Sequence, residues 1–184
     1  PTGGFGAPPP GPRAVPGTYQ VRLTAGDWSD TQSFQVLKDP RLSTTMAEFQ
    51  EQFDLLMEIQ EKNAEVAQAL EAIQEVRERV NAIASQLGGS TNGREIQRQA
   101  AAIDGKLTDI ESQLIRVRHR PGDPEDAGSL ALQRQFGFLG TMVSSADTRP
   151  TDQAEERLEE LAGALVGPLN ELRTVFSADV DGFN

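Results

Sequence analysis

The sequence predicts a mainly helical fold: an antiparallel bundle of about four helices, one of them very long, preceded by a β-hairpin. Three observations point to it. An apolar residue recurs at every seventh position from Ile59 through Val66, Ile73 and Val80 to Leu87. A second seam, spaced alternately four and three, follows a Gly-Gly break. Ahead of both, residues 18–24 and 31–37 alternate apolar with polar, the period of a half-buried strand.

The long helix is expected over residues 43–87, with no Pro or Gly inside it. Phe49, Phe53, Leu56, Leu70, Val76 and Ile83 flank its heptad row. Thr45 and Glu48 have capping-box spacing, and Gly88-Gly89 should stop the helix. Asn63 interrupts the row that holds Leu56 and Leu70, so either it sets helix register or it sits at the stripe's edge.

The second helix opens at Asn92, with Glu95 three residues on, and uses Ile96, Ala100, Ile103, Leu107, Ile110, Leu114 and Val117. Its short link to the first helix makes the two antiparallel neighbours. The first helix is acid-rich, while the second carries Arg94, Arg98, Lys106, Arg116, Arg118 and Arg120. Ion pairs running from the first helix's acids to the second helix's bases are therefore expected. A third helix covers residues 129–145 through Leu132, Phe136, Leu139 and Val143. Thr151 caps a fourth, built on Leu158, Leu161, Leu165, Leu169, Leu172 and Phe176. Pro168 falls inside it and should kink it near Gly167.

In the hairpin, Tyr19, Val21 and Leu23 share a face with Phe34 and Val36. Residues 26–30, Gly-Asp-Trp-Ser-Asp, supply the turn, with the Trp28 ring expected to fold over the hairpin from the loop. Two strands alone are marginal in water, so this face needs either the helices or further strands. The domain reading is thus a Pro/Gly-rich linker at 1–17, the hairpin at 18–39 and the bundle at 40–184.

Composition narrows the function. A net charge of −11 opposes phosphate-backbone contacts and anionic membrane surfaces, so no nucleic-acid partner is expected. No apolar run is long enough to cross a bilayer, and no membrane insertion is expected. With no cysteine there is neither a disulfide nor a thiolate metal site. His119 is the only histidine; among Arg116, Arg118 and Arg120 it reads as a surface residue near a helix end rather than a catalytic base. The tail from Asp179 has a faint calcium-loop pattern without the closing Glu, and reads as a helix terminus. No catalytic residue, cofactor or metal is assigned. The residues that matter are those of helix packing: Ile59, Val66, Ile73, Val80, Leu87, Ile96, Ile103, Leu107, Ile110, Leu114, Leu158, Leu161, Leu165 and Leu172. The chain starts at Pro1 rather than Met, so a processed or truncated product is expected, with any targeting segment upstream.

Two segments carry a family resemblance. The first is Pro16-Gly17-Thr18-Tyr19-Gln20-Val21-Arg22-Leu23-Thr24 with Thr31-Gln32-Ser33-Phe34-Gln35-Val36 and Asp39-Pro40-Arg41. The second is Ser145-Ala146-Asp147, Pro150-Thr151-Asp152-Gln153, the Leu-rich run at 158–172 and the closing Phe183-Asn184. Together they resemble the C-terminal region of bacterial sortilin-like, BNR-repeat β-propeller proteins, often labelled glycosyl hydrolases. The resemblance implies that the hairpin is the remnant of an immunoglobulin-like sandwich. It also implies an extracytoplasmic location, periplasmic or secreted, and catalytic residues lying outside this chain. The expected function is a non-catalytic C-terminal interaction or spacer module, its partner being the missing upstream domains or another protein subunit. The alternatives are an accessory part of a glycoside hydrolase cleft, and a self-associating coiled-coil protein, a homo-oligomer in which the heptad row pairs between chains.

Overall fold

The computed structural model describes residues 11–88, 92–115 and 131–183. The chain is a mainly helical protein with a two-stranded antiparallel hairpin in front of its bundle. Strands β1 (Gly17–Ala25) and β2 (Trp28–Val36) pair first. Helices α1 (Met46–Leu87), α2 (Gly93–Leu114), α3 (Leu132–Val143) and α4 (Asp152–Thr174) follow. A π-helical turn, Val175–Val180, and a last short helix α5 (Asp181–Phe183) finish the chain.

Helix α1 has 42 residues and spans about 63 Å. The Thr45 side chain accepts a hydrogen bond from the Glu48 backbone N–H, and the Glu48 carboxylate accepts one from the Thr45 N–H, completing the capping box. Hydrogen bonds from the Thr45 backbone, then from its hydroxyl, hold the Glu48 carboxyl below its ordinary pKa of 4.5. The stabilisation of this helix start is therefore full above that value and is lost as pH falls through the lowered folded one. Exchange rates of the first-turn amides of α1, followed from neutral pH to pH 3, should rise there while those of α2 stay level.

Along most of its length the bundle is three helices thick. Helix α2 runs antiparallel along the C-terminal half of α1, where Arg77 meets Asp104 and Glu111. Helix α3 runs antiparallel along the N-terminal half, where a Cβ on Gly140 would stand 3.5 Å from Ile59 Cγ2. Helices α2 and α3 thus form one interrupted rod beside α1. Helix α4 closes the third side and ties to both. Arg157 donates to Gln135 on α3, and Lys106 on α2 donates to both carboxylate oxygens of Asp179 at 2.8 Å.

The core lies along this three-way seam. Ile59, Val66, Ile73 and Val80 are buried, as are Ile103, Leu107, Ile110, Leu114, Leu158, Leu161, Leu165 and Leu172. Two positions depart from the expected stripe. Leu87 is 45% exposed, because it is the last residue of α1 and no third helix reaches that end. Ile96, one turn into α2 at the same end, is only partly buried. The true seam of α1 adds Leu55, Ala69, Val76 and Ala84, whereas Leu56, Leu70 and Ile83 sit at its edge with the half-buried Asn63.

Two local expectations change. Asn92 makes no side-chain cap, since its backbone is not extended, and Glu95 is held by Arg98 and Gln99 instead. Pro168 lies on the buried stripe of α4, which continues past it to Thr174 before the π-helical turn. Among the described residues the α1–α2 ion pairs run in the opposite sense: the base is on α1 and the acids are on α2. Burial works against the Arg77 charge, but Glu111 and Asp104 more than offset it and raise its pKa. Val117, His119, Arg116, Arg118, Arg120 and residues 121–128 lie outside the described residues.

Candidate functional site

The features outside the core gather at one end of the molecule, where the hairpin meets the start of α1. Gly26 takes φ +60° while Asp27 keeps a negative φ, so the turn is two residues long and of type II′. That turn makes Ala25 and Trp28 a directly opposed pair and fixes the whole register. Trp28 is therefore a strand residue rather than a loop residue. Because side chains alternate, it shares a face with Ala25, Leu23, Val21, Tyr19, Phe34 and Val36.

Among the described residues no helix packs over this face. Val21 is 56% exposed, Leu23 64%, Trp28 55% and Phe34 49%. Tyr19 and Phe34 stack across the strands with ring centroids 6.0 Å apart, and the Tyr19 hydroxyl donates to the Val15 carbonyl at 2.6 Å. These contacts stiffen the base of the hairpin and leave its upper part open. The opposite face is wholly polar: Thr18, Gln20, Arg22 and Thr24 against Ser29, Thr31, Ser33 and Gln35. Arg22 Nε donates to Thr31 Oγ1 across it. Among the described residues the sheet has two strands only, so both outer edges are unpaired.

The hairpin is fastened to the bundle at its base. Lys38 Nζ donates to the Thr44 carbonyl at 2.8 Å, and the Thr44 hydroxyl donates to the Asp147 carbonyl at 2.6 Å. Gln52, buried on α1, sends its side-chain N–H groups to the carbonyls of Val143 and Ala146, both at 2.6 Å. Val143 is the last residue of α3, so its carbonyl has no further helical turn to receive it, and Ala146 lies in the segment just beyond. Arg149 reaches back to Glu51 at 2.9 Å. Thr44, Gln52 and Asp147 are the residues that sequence reasoning missed. A lone Gln in an acidic helix looks like surface, and only its 3.6-residue phase with Phe49, Leu55 and Ile59 marks it as inward.

Between hairpin base and bundle lies a groove of about 150 Å³, walled by Val15, Val36, Phe49, Phe53 and Leu56 with Arg13 and Asp147 at its rim. Arg13 and Asp147 stand 3.6 Å apart, both well exposed. Arg41, also exposed, holds the Asp39 carboxyl below its ordinary pKa through its side chain and then its backbone N–H. Each of these charges is satisfied locally, and the groove reads as the seam between two parts of the fold.

The helix-packing residues read from sequence converge in the bundle core, with Leu87 and Ile96 at its loose end. Asp179 is engaged by Lys106. Among the described residues no group of three or more His, Asp or Glu is placed to hold a metal ion, and no helix is long and apolar enough to cross a membrane. Comparison of the chain with protein-family models, with curated proteins and with solved structures finds no match in any of the three.

Proposed function

We propose that this chain is a non-catalytic interaction and spacer module of a larger, extracytoplasmic β-propeller protein, with the missing upstream domains or another subunit as its partner. The observation behind this reading is a contrast within one molecule. The bundle buries its own stripes, while the hairpin is held out from it with an apolar face in water. A rod about 63 Å long with a sticky sheet at one end fits a part that positions other parts. The hairpin and Asp-Pro-Arg motif that resemble the propeller family supply the location and the nature of the parent.

Trp28 is the only tryptophan, and it sits on the exposed face, so its fluorescence reports on that face directly. It is also the residue that a sugar-stacking reading would use. Titration of the purified chain with a panel of oligosaccharides should leave the Trp28 emission unchanged, and the chain should hydrolyse none of them. A saturating emission change would favour the accessory role in a hydrolase cleft, and turnover would sink the non-catalytic reading.

A further inference from the structure

The geometry points to the outer edge of β1 as a docking edge for an extended polypeptide segment of alternating apolar and polar residues, which continues the sheet and its apolar face. The inference rests on reading the chain as an interaction module and names the partner's chemistry.

Four observations select that edge and that occupant. First, the two-residue turn makes Ala25–Trp28 a hydrogen-bonded pair, so alternate residues of β1 bond β2. The backbone groups of Thr18, Gln20, Arg22 and Thr24 then face outward, a ladder with no partner among the described residues. Second, β1 has no proline, no lysine and no bulge across its nine residues, and its one charged side chain, Arg22, lies on the polar face, where it donates to Thr31 of β2. Third, the apolar row of β1 is unbroken at Tyr19, Val21 and Leu23, whereas that of β2 is interrupted by Asp30 and Gln32. A strand added beside β1 extends a continuous apolar row; one added beside β2 would lie against a carboxylate. Fourth, the hairpin is too small to be closed by a second copy. Nine residues by two strands present about 300 Å². Two such faces together bury roughly 600 Å², half of what stable association needs. A foreign strand that is itself part of a wider sheet does not meet that limit, since it pairs the edge and brings its own neighbours over the face.

The test uses the full chain and a defined probe: a soluble nine-residue peptide alternating valine with threonine. A peptide of the same composition with its valines grouped together is the control. Residue-resolved hydrogen exchange is followed at millimolar peptide. The alternating peptide should slow exchange at Thr18, Gln20, Arg22 and Thr24 by about tenfold or more, in that every-second-residue pattern. The control should not. Gln20→Pro removes an outward donor without touching the β1–β2 ladder and should abolish the effect. Val21→Thr keeps strand propensity while breaking the apolar row, and should weaken it even if the proline variant frays. The inference is overturned by no protection, by equal protection from the control peptide, or by protection on Ser29, Thr31, Ser33 and Gln35 instead. Protection that grows with protein concentration in the absence of peptide would assign the edge to a second copy and overturn it too. Glycoside turnover would contradict the proposed function and leave this exchange pattern standing. Loss of the pattern without turnover would contradict the docking edge alone.

Discussion

Phe136→Ala is expected to destabilise the bundle by about 3–5 kcal/mol, the largest loss from any single side chain. Phe136 is 0% exposed and is the largest fully buried side chain among the described residues. It lies on α3, which has only 12 residues and neither a side-chain N-cap nor acidic residues in its first turn. A helix that short is marginal on its own, so its order comes from being gripped between α1 and α4. Leu132, Leu139 and Val143 share that grip, but none matches the ring in volume. Truncation leaves a cavity that Gly140, already close to Ile59, cannot fill. A drop of roughly 10 °C in melting temperature should follow. Phe138→Ala is the matched control. Phe138 is on the same helix and 63% exposed, and its loss should change stability by no more than about 0.5 kcal/mol. Equal effects of the two variants would mean that α3 does not pack as described.

Gln52→Leu is expected to cost about 2 kcal/mol even though it puts an apolar residue of similar size into a buried site. Leucine removes the Gln52 donors from both carbonyls; Ala146 keeps the Thr148 backbone N–H at 3.0 Å, while the buried Val143 carbonyl loses its side-chain donor. The cost is thus mainly the desolvation of the Val143 carbonyl, not a loss of packing. The urea midpoint should fall with an unchanged slope. Amides in the last turn of α3 should lose protection more than those of α2, because Gln52 fastens α3 and does not touch α2. A neutral or stabilising outcome would contradict the assigned bonds.

The legible and the illegible parts of this chain differ in kind. Burial periodicity is written directly into residue type, so Ile59, Val66, Ile73, Val80 and the whole row from Ala100 to Leu114 could be read without coordinates. The capping residues Thr45 and Thr151 were readable too, because their chemistry acts within one turn of the helix. What failed depends on distant partners. Arg77 lies in an acid-rich helix, and its pairing with Asp104 and Glu111 follows from the rotation of two helices about their axes, which net charge does not encode. Gln52 became buried only once α3 ended beside it. Leu87 fits the heptad and is nevertheless exposed, since a repeat marks which face is apolar and not how far the neighbouring helix extends.

Trp28 shows the same limit on the local scale. Five residues of turn chemistry, 26–30, promised a loop, yet Gly26 with φ +60° closes the turn in two residues. The other three residues enter β2, and that register carries the tryptophan onto the apolar face. The candidate surface was therefore half legible. The alternation of Tyr19, Val21 and Leu23 with Phe34 and Val36 identified the face and its need for cover. That the helices leave it open is a property of the fold, because Lys38, Thr44 and Asp147 anchor the hairpin at its base and hold its upper part away from α1.

The central claim is that the helices bury their main apolar stripes on one another within a single chain and leave the apolar face of the hairpin in water. Light-scattering mass of the chain across a wide concentration range tests it most directly. The account predicts the constant mass of one chain, since the heptad row of α1 from Ile59 to Val80 is already covered within the bundle, and the hairpin face is too small to hold a second copy. A mass that climbs to that of a dimer or larger would contradict it, and would make α1 an assembly device between chains.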